Sequence, residues 1–261
     1  MLYRFLFAAI GFAPAVISGL RRSETRITRR DLALVVAGAA LGVPIQFLIQ
    51  FAGLARTTVS HASLMIGILP VLLAGGSTVF AHERVTTRRW IALVGSTIGA
   101  GLIAFGASTG EAGSQATVGG DLLVAVSLIA GVAWILISQK LMDTGRYSPI
   151  VTSAYIMVAG TIMLIVWQLM AEGLPPVHLS TRTWVSVAAL GFVATTITTY
   201  LWNWGLARVP ASQAGVFLNL EPGIGSVLGV LVLSDVLGPY ALVGGALVVG
   251  TAVYVAADNG G

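Results

Sequence analysis

The sequence predicts an all-α polytopic membrane bundle, with nine transmembrane helices of a ten-helix fold made from two inverted five-helix repeats. Three observations carry that expectation. The chain is 56% hydrophobic and only 9% charged, with a mean hydropathy of +0.92, whereas soluble globular domains are about 25% charged. Its apolar runs are continuous over about 20 residues, the length of a helix that crosses a bilayer, and not the alternating strands of about 10 residues found in barrels. The sequence also repeats itself: residues 53–62 read GLARTTVSHA, and residues 205–214, 152 positions later, read GLARVPASQA.

Nine apolar segments follow one another, at 2–20, 32–53, 60–81, 90–106, 121–139, 149–171, 183–204, 211–233 and 239–256. Segment 2–20 has a rival reading as a signal peptide, with Arg4 as its basic start and Ala13-Pro14-Ala15 as a cleavage-like site. The Arg21-Arg22 flank and the match of 2–20 to 149–171 speak against it. In 32–53, Gly38, Gly42, Gln46 and Gln50 recur at spacing four. The glycines admit a close neighbour, and the amides suit either a polar ligand or plain interhelical hydrogen bonds.

Segment 60–81 opens near His61, read as a solvated or capped residue, and carries Pro70 near its middle. Gly95 and Gly99 form a small-residue packing motif in 90–106. The connection 107–120, ASTGEAGSQATVGG, is polar and flexible by composition. Trp134 in 121–139 and Tyr155 in 149–171 are deep aromatics, candidates for a cavity wall or for ordinary packing. Segment 183–204 places Thr196, Tyr200 and Asn203 on one face, with Trp202 and Trp204 near its end.

The chemically densest stretch lies in 211–233, where Glu221, Pro222, Gly223 and Gly225 fall near midspan. A carboxylate there costs about 2.5 kcal/mol or more to insert. The proline frees the carbonyl of Leu218, four residues back. Gln213, Phe217 and Glu221 are expected to share one helical face and Asn219 and Ser226 another, with the first face lining the cavity. Glu221 reads as a proton or amine acceptor, or as a protonated bridge to a neighbouring helix. Glu83 and Asp235 follow matched segments and read as caps of the helices that come next.

Basic residues set the orientation. Arg21, Arg22, Arg26, Arg29, Arg30, Arg84, Arg88, Arg89, Lys140, Arg146 and Arg208 fall on one side, and Arg4, Arg56 and Arg182 on the other. The first side is therefore cytoplasmic, which puts the C-terminus inside and Met1 outside. The 152-residue shift also pairs Pro70 with Pro222, Glu83 with Asp235 and Tyr3 with Tyr155. Because Arg56 is outside and Arg208 inside, the copies are inverted, which requires an odd number of helices in each. Residues 121–257 hold five and residues 1–106 hold four, so the helix matching 121–139 would precede Met1. The paired prolines then read as bent helices at the working centre.

Several functions lack their residues. There is no cysteine, no HExxH, no GxSxG, no GxxxxGK[ST] and no histidine cluster. The expectation is no enzyme, no cofactor and no metal. The pI near 9.9 comes from short clusters between apolar segments, without aromatic interleaving, so no nucleic-acid partner is expected.

The run Tyr200-Leu201-Trp202-Asn203-Trp204-Gly205-Leu206-Ala207-Arg208-Val209-Pro210-Ala211-Ser212-Gln213-Ala214, on to Glu221-Pro222 and Asp235, resembles the second half of EamA-type proteins of the drug/metabolite transporter superfamily. Ala62-Ser63, Pro70, Glu83-Arg84 and Trp90-Ile91 echo it in the first half. The resemblance implies ten helices in two inverted repeats, and a central cavity lined by the first four helices of each. It also implies secondary export or exchange of small metabolites such as amino acids. The absent first helix and an aspartate at 235, where the family usually has glutamate, are departures from the pattern.

The expectation is then an inner-membrane exporter working by alternating access, with proton coupling and a homodimer left open. Its partners are a small-molecule substrate and the lipid bilayer. Glu221, Gln46, Gln50, Tyr200, Asn203, Trp134 and Gln213 are the candidate substrate residues, and Pro70 and Pro222 the candidate kink and gating pair. The alternative is a non-transporting membrane subunit or scaffold, for example a partner in lipid-linked sugar translocation.

Overall fold

The computed structural model describes residues 1–21, 27–57, 62, 65–107, 117–221, 224 and 239–257. His61, Pro222, Gly223, Gly225, Ser226 and Asp235 lie outside the described residues. Every regular element among the described residues is helical. In chain order they are α1 (Leu2–Arg21), α2 (Arg29–Leu54), α3 (Leu69–Phe80), α4 (Thr87–Ala107), α5 (Val118–Asp143), α6 (Pro149–Ala171), α7 (Thr181–Leu206), α8 (Ala211–Leu218) and α9 (Pro239–Ala257). By length and apolarity, α2, α5, α6, α7 and the Leu2–Gly19 part of α1 can each cross a membrane.

Local chemistry sets the helix starts. Thr28 and Asp31 form a reciprocal capping box on α2. Pro149 occupies the first turn of α6, where its absent N–H is no loss. The Ser180 side chain accepts from the Thr183 N–H at the head of α7. Helix α5 outruns its apolar stretch at both ends, with Asp121 in its first turn and Lys140 in its last, each matched to the helix dipole.

Helices α2 and α7 correspond residue for residue under the 152-position shift, Arg29 to Thr181 and Leu54 to Leu206. Each contains a π turn, at Leu41–Ile45 and at Phe192–Ile197, and these overlap under the shift, ending at equivalent residues. Their causes differ. In α2 the turn holds Pro44, whose missing N–H and bulky ring exclude a regular α ladder. In α7 the hydroxyls of Thr195, Thr196 and Thr198 donate to the carbonyls of Leu190, Gly191 and Val193, five residues back. Single π turns inside α-helices concentrate at functional positions.

Two expected continuous segments are interrupted. Within 60–81 a turn at Gly67-Ile68 separates Met65-Ile66 from α3, which begins at Leu69 with Pro70 in its first turn. Within 211–233, α8 ends at Leu218 and Asn219 forms a turn. The breaks are equivalent under the 152-residue shift. A proline ring clashes with the carbonyl four residues back, here that of Ile66, so the chain stops at the Gly67-Ile68 turn and starts α3 instead of bending one helix. Pro70 is thus a helix starter.

The chain forms two compact units. One comprises Met1–Phe47 and Ala133–Arg208, the other Leu48–Val132 and Val209–Gly261. Each draws on both halves of the sequence.

In the first unit α1 packs on α6, with Gly19 against Val151 and Tyr155 and the Phe5 carbonyl accepting from Thr161. The two helices therefore run antiparallel. Gly160 of α6 sits on Val43 and Ala39 of α2, so close that a Cβ would lie 2.5 Å from the Val43 side chain. Val35, Ala39, Leu141, Tyr147, Val151 and Ile156 form the core there.

In the second unit α3 packs on α8, with Pro70 beside Gly215 and Glu83, beyond the far end of α3, bonded to Ala211 and Ser212. Helix α4 packs on α9, with Gly95 near Thr251 and Gly99 against Gly244 and Val248. Both pairs are again antiparallel. Ala74, Ala92, Leu93, Val216 and Ala252 form this unit's core. In two of the three pairs, α1 with α6 and α4 with α9, the members are the ones that the 152-residue shift matches.

Candidate substrate site

Within the first unit the predicted residues Gln46, Trp134 and Asn203 share one property. Each holds a buried hydrogen-bonding atom without a partner among the described residues: Oε1 of Gln46, Nε1 of Trp134 and Oδ1 of Asn203. A buried polar atom left unpaired is costly, and most are satisfied.

The indole of Trp134 lies flat on the backbone of α2 at Gly42, where a Cβ would fall 2.5 Å from the ring carbon Cγ. Any larger residue would expel the ring, so Gly42 is what admits it. Gln46 follows Gly42 directly after the π turn. Asn203 is 1% exposed and anchored by Nδ2 to the Ser153 hydroxyl at 2.8 Å, which leaves its carbonyl oxygen available. The neighbouring Thr152 hydroxyl on α6 is also buried and unpartnered among the described residues. Tyr200 stands on α7 one turn before Asn203 and is partly exposed.

Placement differs from expectation in the second unit. Gln213 and Phe217 stand one turn apart in α8, Gln213 4% exposed and Phe217 exposed, and Glu221 is exposed as well. The register from Phe217 to Glu221 is interrupted because α8 stops at Leu218. Asn219 then turns inward to donate from Nδ2 to the Ser96 hydroxyl at 2.8 Å. Gln213 keeps an unpartnered Nε2 among the described residues, and Gln50 is partly exposed on the last stretch of α2. No side-chain hydrogen bond joins Glu221 to a described residue.

Glu83 caps a different helix from the one expected. Its carboxylate receives the N–H groups of Ala211 and Ser212 at 2.9 and 3.2 Å, at the start of α8. Helix α3 delivers it there because α3 and α8 are antiparallel. Burial by itself raises the Glu83 carboxyl, but these two donors, with the side chains of Ser77 and Ser212, outweigh it and hold its pKa below the usual carboxylate value.

Sequence reasoning passed over three residues. Asp31, 2% exposed, accepts from Arg146 Nη1 at 2.9 Å and from Tyr147 Oη at 3.0 Å, pinning the head of α2 to the turn before α6. Burial, then the bond to Asp31 and its charge, pushes the Tyr147 hydroxyl up to about 12. Pro44 was legible as a helix breaker inside an apolar run. Arg4, counted only as a topology signal, donates from Nε to the Thr195 hydroxyl at 2.8 Å. A charge inside an apolar segment was its signal.

Residues 1–105 and 118–257 match the model of the EamA-like transporter family. A protein named a "probable terminal-alkyne amino-acid exporter" of Streptantibioticus cattleyicolor is 28% identical over 253 residues, covering 94% of this chain and 79% of its own. The uncharacterized transporter YyaM of Bacillus subtilis is 24% identical, over 87% of this chain and 73% of that protein. The biotin transporter of Salmonella typhimurium is 25% identical over 89% and 74%. A protein of known crystal structure, 22% identical, superposes with a TM-score of 0.80 over 98% of this chain and 88% of its own. The family is one of transporters and not of enzymes, its members are embedded in the membrane, and this chain belongs to the EamA-like transporter family.

Proposed function

We propose that the chain is a secondary transporter that exports small metabolites such as amino acids across the inner membrane by alternating access. The observation that carries the reading is the set of buried, unpartnered polar atoms on Gln46, Trp134 and Asn203, which can receive the polar groups of a solute. The similarity to a protein named an amino-acid exporter favours that substrate class. The antiparallel course of two matched helix pairs, α1 with α6 and α4 with α9, supports two inverted repeats, at 1–106 and 121–257.

In this reading Tyr200 and Trp134 are aromatic walls, and Gln46, Gln50, Asn203 and Gln213 supply polar contacts. Glu221 takes up a proton or an amine, and Pro70 and Pro222 gate the path. The C-terminus is cytoplasmic, and a homodimer is compatible with all of this.

The test is release of labelled amino acids from proteoliposomes, with and without a pH gradient, comparing wild type with Glu221→Gln. Transport that needs the gradient in wild type and loses that dependence in Glu221→Gln is the expected result. Identical gradient dependence in both removes the coupling role. Failure of every amino acid to move excludes the substrate class and favours the non-transporting subunit.

A further inference from the structure

Arg4 is the residue whose setting the proposed function leaves unexplained. It is partly buried in α1, within the stretch Leu2–Gly19 that is long and apolar enough to cross a membrane. Its Nε donates to the Thr195 hydroxyl at 2.8 Å, and its guanidinium carbon lies 5.8 Å from the ring centre of Phe5 and 5.6 Å from that of Phe47. No carboxylate pairs with it among the described residues.

An arginine near a helix end ordinarily reaches outward to the headgroups. This one is tied inward. Thr195 lies fourteen residues into α7, about 21 Å from the start of that helix and about 17 Å from its end. The tether holds the cation near midspan, at one of the two matched π turns. Thr195 spends its own proton on the Leu190 carbonyl at 2.8 Å, so its oxygen is free to accept from Arg4 and its orientation is set. Of the five guanidinium N–H groups one is used, and the terminal pair, which forms a planar fork matched to a carboxylate, has no acceptor among the described residues. Flanking rings stabilise the cation without neutralising it. A midspan charge persists where it pairs with another charge or faces a water-filled path.

We propose that the Arg4 guanidinium, aimed by Thr195 and flanked by Phe5 and Phe47, is the docking point for the carboxylate of the transported solute. The inference rests on the amino-acid reading above and narrows it to solutes with a free carboxylate.

The experiment is thermal unfolding of the purified full chain, followed by tryptophan fluorescence, with phenylalanine and leucine and with the corresponding amino-acid amides, which lack the carboxylate. Wild type, Arg4→Gln, Arg4→Lys and Thr195→Val are compared. The expected result is stabilisation of wild type by the acids and not by the amides. Arg4→Gln should lose apparent affinity for the acids by roughly tenfold to a hundredfold, with Arg4→Lys and Thr195→Val in between. If acids and amides stabilise wild type equally, or Arg4→Gln still tells them apart, the Arg4 assignment is overturned while the amino-acid reading survives. If neither acids nor amides act on wild type, both fall. Repeating the measurement in phosphatidylcholine vesicles with and without phosphatidylglycerol separates the sources of the oxyanion. An effect of Arg4→Gln seen only with the anionic lipid would make Arg4 a headgroup anchor and overturn the proposal.

Discussion

The Glu83 carboxylate accepts the backbone N–H of Ala211 at 2.9 Å, across 128 positions of sequence. One acid thereby closes the end of α3 and caps the start of α8. Glu83→Gln keeps the shape and removes the charge, and is expected to lower stability by about 1 kcal/mol. The pKa of Glu83 is below its ordinary 4.5, so its contribution is complete above that value and is lost as pH falls through the lower, folded one. The difference in Tm between wild type and Glu83→Gln should therefore be steady near neutrality and shrink in acid. A difference that stays constant on acidification would mean the charge is not what caps α8.

Tyr147 gives the opposite sign. Its pKa is raised from 10.0 to about 12 by burial and by Asp31. The stabilisation it brings is complete below 10 and disappears as pH climbs towards 12. Tyrosinate absorbance should show the Tyr147 hydroxyl titrating late in the folded protein and normally once unfolded. Tyr147→Phe should abolish that late step and destabilise by about 1–2 kcal/mol, because Asp31 loses a donor.

Helix α4 meets α9 at Gly99, where a Cβ would lie 2.7 Å from the Gly244 carbonyl oxygen. Backbone cannot yield as a side-chain tip can, so Gly99→Ala is expected to cost about 1–3 kcal/mol. Gly245, one residue from that contact, has nothing within 4 Å of its would-be Cβ. Gly245→Ala should be neutral or stabilise by up to about 1 kcal/mol, through helix propensity alone. Thermal unfolding of the two variants side by side reads the contrast.

Trp134→Phe separates structure from transport. Nε1 of Trp134 has no partner among the described residues, so its deletion breaks no protein hydrogen bond and should shift stability by less than about 1 kcal/mol. If the indole lines the substrate path, efflux from proteoliposomes should fall severalfold while Tm barely moves. A large drop in Tm with unchanged efflux would assign Trp134 to packing against Gly42.

Much of the fold was legible because a bilayer constrains sequence strongly: apolar runs, basic flanks and paired prolines all leave marks. Residues 29–54 and 181–206 could be aligned by the repeat alone, and both turned out to be helices of identical bounds. The matching π turns were not anticipated, since Pro44 causes one and threonine hydroxyls cause the other, and dissimilar residues give no shared pattern to read. The single continuous face expected for Gln213, Phe217 and Glu221 is interrupted for a related reason. Helical periodicity extrapolates only while the helix continues, and α8 stops at Leu218.

By itself the sequence determined that this chain lives in a membrane, that its motifs recur 152 residues apart, and that it carries no HExxH, GxSxG or GxxxxGK[ST] motif. Those are properties of composition and spacing, which do not depend on what touches what. Only the tertiary structure decided that Glu83 serves α8, that Asn219 is committed to Ser96, and that Arg4 is drawn inward by Thr195. Each depends on helices distant in sequence lying side by side, and hydrogen bonds of about 3 Å are made by proximity in space, which residue spacing along one helix does not encode.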